Sequence, residues 1–428
     1  MSDPVAPPTV SVTTENKGVV IRKHFGRLWK AIGGGAVLIG LIASFIGINQ
    51  YCQSRRSAAQ ASEDKVVLAV FPKDSATSQP MIRALNGDRT DRPSRIPLPF
   101  DHCFLEFAEE RDTEESTARS LQKRLEDPNV VLVIGHERST MAQYVIDHVY
   151  KNGTLGSNQG PVPLILPAVT NPNITKEPPE GKSHILRLPA SDDRQVAAIS
   201  TLLQRLSPLP KRVVLVVDAS NRVYSQFIAN QLIAKNPQVS FVDSVGVALD
   251  SDGFYPARFL NAKPDTIIFV GMEVPATIFL PRLVESPEYN KSVPKPRLIF
   301  TDGTAGDTFD KVTRHLPATL RVFLTAPFPT DVPKGASVEF PNYKQMGEAA
   351  RSLALKLLAE AQDKGAISRA NVLLALRNRL DVSRTEDLSG IRASFDSEGN
   401  NIEGEVHVYE LGQSGPTHSL KCPCIPKR

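Results

Sequence analysis

A chain of 428 residues, 41% hydrophobic and 22% charged, is long enough for two domains and apolar enough to bury a core in each, which excludes a wholly disordered protein. Its net charge of +4 sits mainly at the start: residues 1–30 hold five Lys/Arg and two Asp/Glu, a balance of +3 that leaves +1 for the rest. A nearly neutral body lacks the concentrated basic face that nucleic acid demands, so no nucleic-acid partner is expected.

The first element is "AIGGGAVLIGLIASFIGIN", residues 31–49, nineteen residues without a charge between Trp29 and Tyr51. At about 1.5 Å per residue this length just crosses a hydrocarbon core of roughly 30 Å, and flanking aromatics suit the interface. The stretch predicts one N-terminal transmembrane helix over 31–50, after a tail of residues 1–30 and before a linker of residues 51–64. Lys17, Arg22, Lys23, Arg27 and Lys30 precede it and Arg55, Arg56 and Lys65 follow, a bias that places the N-terminus in the cytoplasm and the main part on the periplasmic or extracellular side of the inner membrane. Three alternatives compete. A cleaved signal peptide needs a small-residue site close behind the apolar run, whereas Ala59-Gln60-Ala61 lies twelve residues past Asn49 and beyond two arginines. A lipoprotein needs small residues before its cysteine, and Cys52 follows Asn49, Gln50 and Tyr51. A buried core helix is the third, against which stands the lack of a polar face.

From residue 65 onward strands and helices alternate. "KVVLAVF" and "NVVLVIG" are short apolar runs of the buried parallel kind, with a helix between them in which Ala118, Leu121 and Leu125 share a face. A helix opening at Ser139 follows, with Met141, Ala142, Val145, Ile146 and Val149 on one side and Gly153 as C-cap, then the strand "PLILPA". After a polar break over residues 170–184 the alternation restarts at "DDRQVAAISTLLQRL" and runs through "KRVVLVVD", "VYSQFIANQLIAKN", "VSFVDSVGV", "PDTIIFVG", "PATIFLPRLVES" and "PRLIFTD". After "RVFLTAPFP" come a long helix, "YKQMGEAARSLALKLLAEAQDK", a second, "SRANVLLALRNRL", and "ASFDSEGNNIEGEVHVYEL", which predicts a hairpin turning at "EGN". The fold class is α/β in two lobes. Four cysteines, Cys52, Cys103, Cys422 and Cys424, suit an oxidising compartment without making a disulfide scaffold, and a link from Cys422 or Cys424 to Cys103 is left open.

The order of "NVVLVIGHERS", "PLILPAVTNPNIT", "ILRLPASDDRQVAA", "KRVVLVVDASNRVYSQF", "KPDTIIFVG" and "ASFDSEGNNIEGEVHVYEL" resembles the type I periplasmic binding proteins of the leucine/isoleucine/valine kind, also used as receptor ligand-binding regions. The resemblance spans nearly all of residues 65–412. It implies a two-lobed fold with three hinge crossings, near "ILRLPAS", near "RVFLTAPFP" and near residues 378–392, so that residues 65–187 and 326–380 make lobe 1 and residues 188–325 and 381–428 make lobe 2. It implies a small-molecule ligand, an amino acid or similar, in the cleft, no cofactor or metal, and a permease of an ABC transporter or a receptor as membrane partner.

The resemblance also carries the site residues. Ser139 matches the serine that meets a ligand carboxylate, with an ordinary helix N-cap as the plain alternative. Ala168 and Thr170 match the loop that completes this half-site. In the second lobe Tyr224 matches the tyrosine before its helix, Glu273 stands where an aromatic is usual, and Asp302 is placed to meet a ligand ammonium; for both acids the alternative is a solvated loop residue or helix cap. The loop from Asp218 is slightly longer than the pattern, and "FDHCFLEFAEERDTEES" replaces a longer segment. No catalytic constellation competes: HExxH, GxSxG and P-loop patterns are absent, and His136 beside Ser139 has no orienting acid identifiable in the sequence. Two functions are open, a membrane-tethered solute binder that serves a permease, and an ectodomain that senses a ligand or binds a protein without transport.

Overall fold

A computed structural model describes residues 64–421 apart from 74, 76–77, 90–93, 112, 151–160, 176–183, 248–255, 318, 327–342, 381–383 and 413–416. All of these described residues belong to one compact unit, Asp64–Arg428. The apolar run 31–49 and Cys52, Cys422 and Cys424 lie outside them. Among the described residues no helix is long and apolar enough to cross a membrane. Cys103 is a buried free thiol, and burial pushes it up to about 12.

The first sheet is built from β1 (Lys65–Phe71), β2 (Arg95–Pro97), β3 (Cys103–Glu109), β4 (Val130–Ile134), β5 (Leu164–Leu166) and β6 (Ile185–Arg187), in the order β2-β3-β1-β4-β5-β6. Only β2 runs antiparallel to its neighbour; the other pairs are parallel. Helices α1 (Ser78–Leu85), α2 (Glu114–Leu125) and α3 (Ser139–Val145) pack on it, their apolar side chains sharing its buried clusters. The run Val130–Ile134 is buried at every position because helices cover both sheet faces, which is why it reads as continuous rather than alternating hydrophobicity.

The second sheet follows α4 (Asp192–Arg205). Its strands are β7 (Arg212–Asp218), β8 (Ser240–Val247), β9 (Thr266–Val270), β10 (Arg297–Phe300) and β11 (Val322–Ala326), all parallel, with α5 (Arg222–Lys235), α6 (Glu273–Glu285) and α7 (Asp307–Arg314) between them. The chain then returns to the first half: α8 (Tyr343–Asp363) lies on α1, so close that a Cβ at Gly347 would come 2.7 Å from the Met81 carbonyl oxygen. Next, α9 (Arg369–Arg377) packs on α8 and β4.

The end of the chain departs from the predicted hairpin. A short hairpin forms earlier, from β12 (Glu386–Leu388) and β13 (Ile391–Ala393), turning at Ser389 and Gly390, both with positive φ, and it packs on α8. Around "EGN" only two isolated bridges form, Phe395 to Asn401 antiparallel and Asn400 to Arg187 parallel. The strand within "EVHVYEL", β14 (His407–Leu411), pairs instead with β11 and with β15 (Thr417–Lys421), completing the order β15-β14-β11-β10-β9-β7-β8. Its residues His407, Val408, Tyr409 and Leu411 are all buried, so the strand goes where two faces of cover are available, and the free side of β11 offers that.

Candidate functional site

The C-terminal ends of β4, β5 and β6 in one half and of β7, β9 and β10 in the other converge on a single cleft. This is where an open parallel sheet presents loops and helix N-termini. From the first half come Glu137 and Ser139 after β4, Pro167, Ala168 and Thr170 after β5, and Pro189 after β6; the second half adds Asn221, Tyr224, Met272, Asp302 and Gly303. The first turn of α8 adds Tyr343 and Met346. These side chains fill most of the cleft and leave a cavity of about 30 Å³, close to the room one water needs.

Five of the six sequence-derived residues, Ser139, Ala168, Thr170, Tyr224 and Asp302, line this cavity. Ser139 is not the N-cap of its helix. The cap position falls on Arg138, which makes no side-chain cap bond, and Ser139 is the first helical residue, buried against the cleft. Glu273 is the exception. It opens α6, and its Oε1 accepts from the backbone N–H of Thr308 (2.8 Å) and Phe309 (3.2 Å), capping α7 from the neighbouring helix. Gly306 makes room for this, since a Cβ there would lie 2.2 Å from the Glu273 carboxyl carbon. The residue before it, Met272, reaches the cleft instead.

The wall of the second half is a buried polar cluster. The Tyr224 hydroxyl donates to Asp302 Oδ1 (2.5 Å) and lies 3.3 Å from Gln195 Oε1, and the Gly303 N–H donates to the same Asp302 oxygen at 2.8 Å. Behind it stands Asp192, fully buried, whose carboxylate has the Thr170 hydroxyl beside it but makes no close hydrogen bond. Arg187, also fully buried, donates to the Thr170 carbonyl (2.8 Å) and to Asn400 Oδ1 (2.5 Å). Burial pushes Asp192 well above the usual carboxylate range and the neighbouring Asp302 adds to it, while the Thr170 hydroxyl and the Arg187 charge oppose the shift. Burial likewise raises Asp302 against its hydrogen bonds, raises Tyr224 with help from both carboxylates, and lowers Arg187 to about 10.

The wall of the first half carries an acid too. Glu137 is 6% exposed and accepts from the hydroxyls of Ser75 (2.6 Å) and Ser78 (2.8 Å); burial raises its pKa and these two bonds oppose the rise. His136 beside it meets Glu110, Nδ1 to Oε1 at 2.6 Å, with both side chains fully buried, and its Nε2 makes no bond to Ser139. Among the described residues no Lys, Arg or His lines the cavity.

Hydrogen bonds join the halves beside the cavity. Asn221 Oδ1 accepts from the backbone N–H and from the hydroxyl of Thr140, each at 3.1 Å; Thr140 Oγ1 in turn accepts from the Val223 N–H at 3.1 Å, and Asn171 Nδ2 donates to the Val223 carbonyl at 2.8 Å.

Sequence reasoning missed Glu137, Asn221, Met272, Tyr343 and Met346. Glu137 and Asn221 sit in the loops already singled out, and an acid two residues before Ser139 and an amide three before Tyr224 were the available signals. Tyr343 and Met346 open a helix more than 100 residues downstream of those loops, and nothing local points them at the cleft.

Two α/β halves with parallel sheets and a cleft at their strand C-termini are the architecture of the type I periplasmic binding proteins, and this chain has that fold. The leucine-binding protein LivK of Thermotoga maritima superposes with a TM-score of 0.62 at 16% identity, covering 83% of this chain and 98% of its own. The branched-chain amino-acid substrate-binding protein LivJ of Streptococcus pneumoniae, solved with isoleucine, gives 0.61 at 18% identity over 84% and 100%. A solute-binding protein of an R. palustris ABC transporter, solved with benzoate, gives 0.62 at 11% identity over 85% and 99%. No protein-family profile and no curated protein sequence matches the chain.

Proposed function

We propose that the chain is a membrane-anchored extracytoplasmic solute-binding protein, tethered to the inner membrane by residues 31–49 with its N-terminus cytoplasmic, which captures a small polar ligand such as an amino acid for a membrane permease. The observation that carries this is the convergence of Ser139, Ala168 and Thr170 from one half with Tyr224 and Asp302 from the other on one cavity. A ligand that touches both walls stabilises their approach by its differential affinity for that state. An uncleaved anchor would hold the binder near its membrane partner and raise its effective concentration there.

Thermal unfolding against a panel of amino acids and aromatic carboxylates tests it. A ligand at 100 times its dissociation constant adds about 2.7 kcal/mol of stability. Replacing Ser139 and Thr170 together by Ala is expected to abolish the shift. A flat response across the panel removes the transport reading. It favours the second one, a sensing or protein-interaction ectodomain not coupled to transport, for which the specific observation is that only about 30 Å³ of the cleft is open.

A further inference from the structure

The first N–H groups of a helix have no partner within it, and a helix ordinarily satisfies them with its own cap residue or with a bound group. Neither helix that faces the cleft from opposite sides does so. Asn221 occupies the N-cap position of α5, a place that suits Asn, yet its side chain makes no cap bond to its own helix. Its oxygen reaches across the cleft to the Thr140 N–H in the first turn of α3, and the Thr140 hydroxyl reaches back to the Val223 N–H in the first turn of α5. Each half therefore caps the helix of the other. Asn171, 1% exposed, closes the same face by its bond to the Val223 carbonyl.

We propose that Thr140, Asn171, Asn221 and Val223 form a latch that holds the cleft shut through the chain's own contacts, and that a small molecule of amino-acid size enters only when the latch parts. Pockets that hold such molecules are hundreds of Å³ in volume, against the roughly 30 Å³ left here, so the cleft must widen to admit one, and drawing the halves apart breaks these four bonds between them. The usual order, in which a ligand draws two open halves together, is reversed: the shut state needs no ligand, and apparent affinity falls by the fraction of time the latch is closed. This holds whichever of the two functions the cleft serves.

Amide hydrogen exchange of the full-length chain tests it at residues 139–142 and 222–225. In the parent chain the Thr140 and Val223 amides are expected to exchange slowly. Asn221→Ala is expected to speed both by about tenfold or more, although it removes a direct acceptor only from Thr140. Thr140→Val is expected to do the same, and Thr140→Ser, which keeps the hydroxyl, to leave both slow. Amides of β4 and β7 report whether a variant has unfolded; if Asn221→Ala has, Thr140→Val decides. Fast exchange at both sites in the parent chain overturns the proposal. So does a variant that frees one amide while the other stays protected, since that outcome describes separate local caps.

Discussion

Two buried charge sites in this chain are built on opposite principles. Arg379, 1% exposed, is held from two sides: its two terminal nitrogens each donate to an oxygen of Glu360 at 2.9 Å, its Nε lies 3.0 Å from Glu386 Oε1 as an ion pair without a hydrogen bond, and Arg384 adds a second positive charge to the same two acids. Burial alone would raise Glu360, but the hydrogen bonds from the two arginines bring it below its ordinary value. The cleft floor has the reverse arrangement. Asp192 and Asp302 are buried near one another and burial raises both above the usual range, with only weak help to Asp192 from the Thr170 hydroxyl and the Arg187 charge. The first site ties α8 to the chain after α9 and to β12. The second holds poorly compensated acid beside a cavity, the pattern expected where binding rather than scaffold stability has shaped the residues.

The contrast is sharpest in stability. Arg379→Met leaves Glu360 and Glu386 without their buried partner and is expected to cost about 3–5 kcal/mol, read from urea midpoints at constant slope. If Asp192→Asn costs as much, the two sites are alike and the distinction fails. A second buried group on the first-sheet side extends the comparison to pH. His184, before β6, is held down to about 4 by burial and by the Arg377 charge. Because its folded value lies below the ordinary 6.5, its contribution is complete above 6.5 and is lost as pH falls from there through 4, on the order of 3 kcal/mol. His184→Gln should flatten that acid limb; an unchanged limb would place its origin elsewhere.

At the floor the sign inverts. Asp192 is raised, so the folded chain favours its protonated form; the resulting contribution is present below the ordinary carboxylate value of 3.8 and lost as pH rises through the raised one. Asp192→Asn is therefore expected to stabilise the protein at neutral pH by about 1–3 kcal/mol, the penalty of an unsatisfied buried group, and to show little effect near pH 4. Equal stability at both pH values would mean that the acid is compensated after all.

How much of this was legible in the sequence follows from how local each feature is. β1, β4, β7, β9 and β10 announce themselves because strands covered on both faces are continuous apolar runs. β3 does not: "CFLEFAE" alternates buried and half-buried positions only over its first four residues, beside a short edge strand, and it lies inside "FDHCFLEFAEERDTEES", where the resemblance expects a longer segment. The pairing of β14 with β11 is a contact across some eighty residues, which no turn motif encodes. The cleft walls behaved similarly. Ser139, Ala168 and Thr170 follow their strands directly, so strand positions carry them to the cleft. Glu273 missed it by one residue at a helix start, where a single step turns the side chain by about 100° and sends Met272 into the cleft instead.

That one-residue difference yields the smallest expected effect and a clean separation of structure from binding. Glu273→Ala removes the carboxylate that accepts from the first N–H groups of α7 and is expected to cost about 1 kcal/mol, as loss of a helix cap does. A ligand-induced thermal shift should survive the substitution in full, because the side chain lies outside the cavity and its bonds run to Thr308 and Phe309. Tyr224→Phe is the opposite case. It deletes the hydroxyl between Asp302 and Gln195 in the cavity wall and should weaken the same shift. If Glu273→Ala abolished the shift while Tyr224→Phe spared it, α6 would have to enter the cleft by Glu273 rather than Met272, and the assignment of acids to scaffold and floor would be reversed.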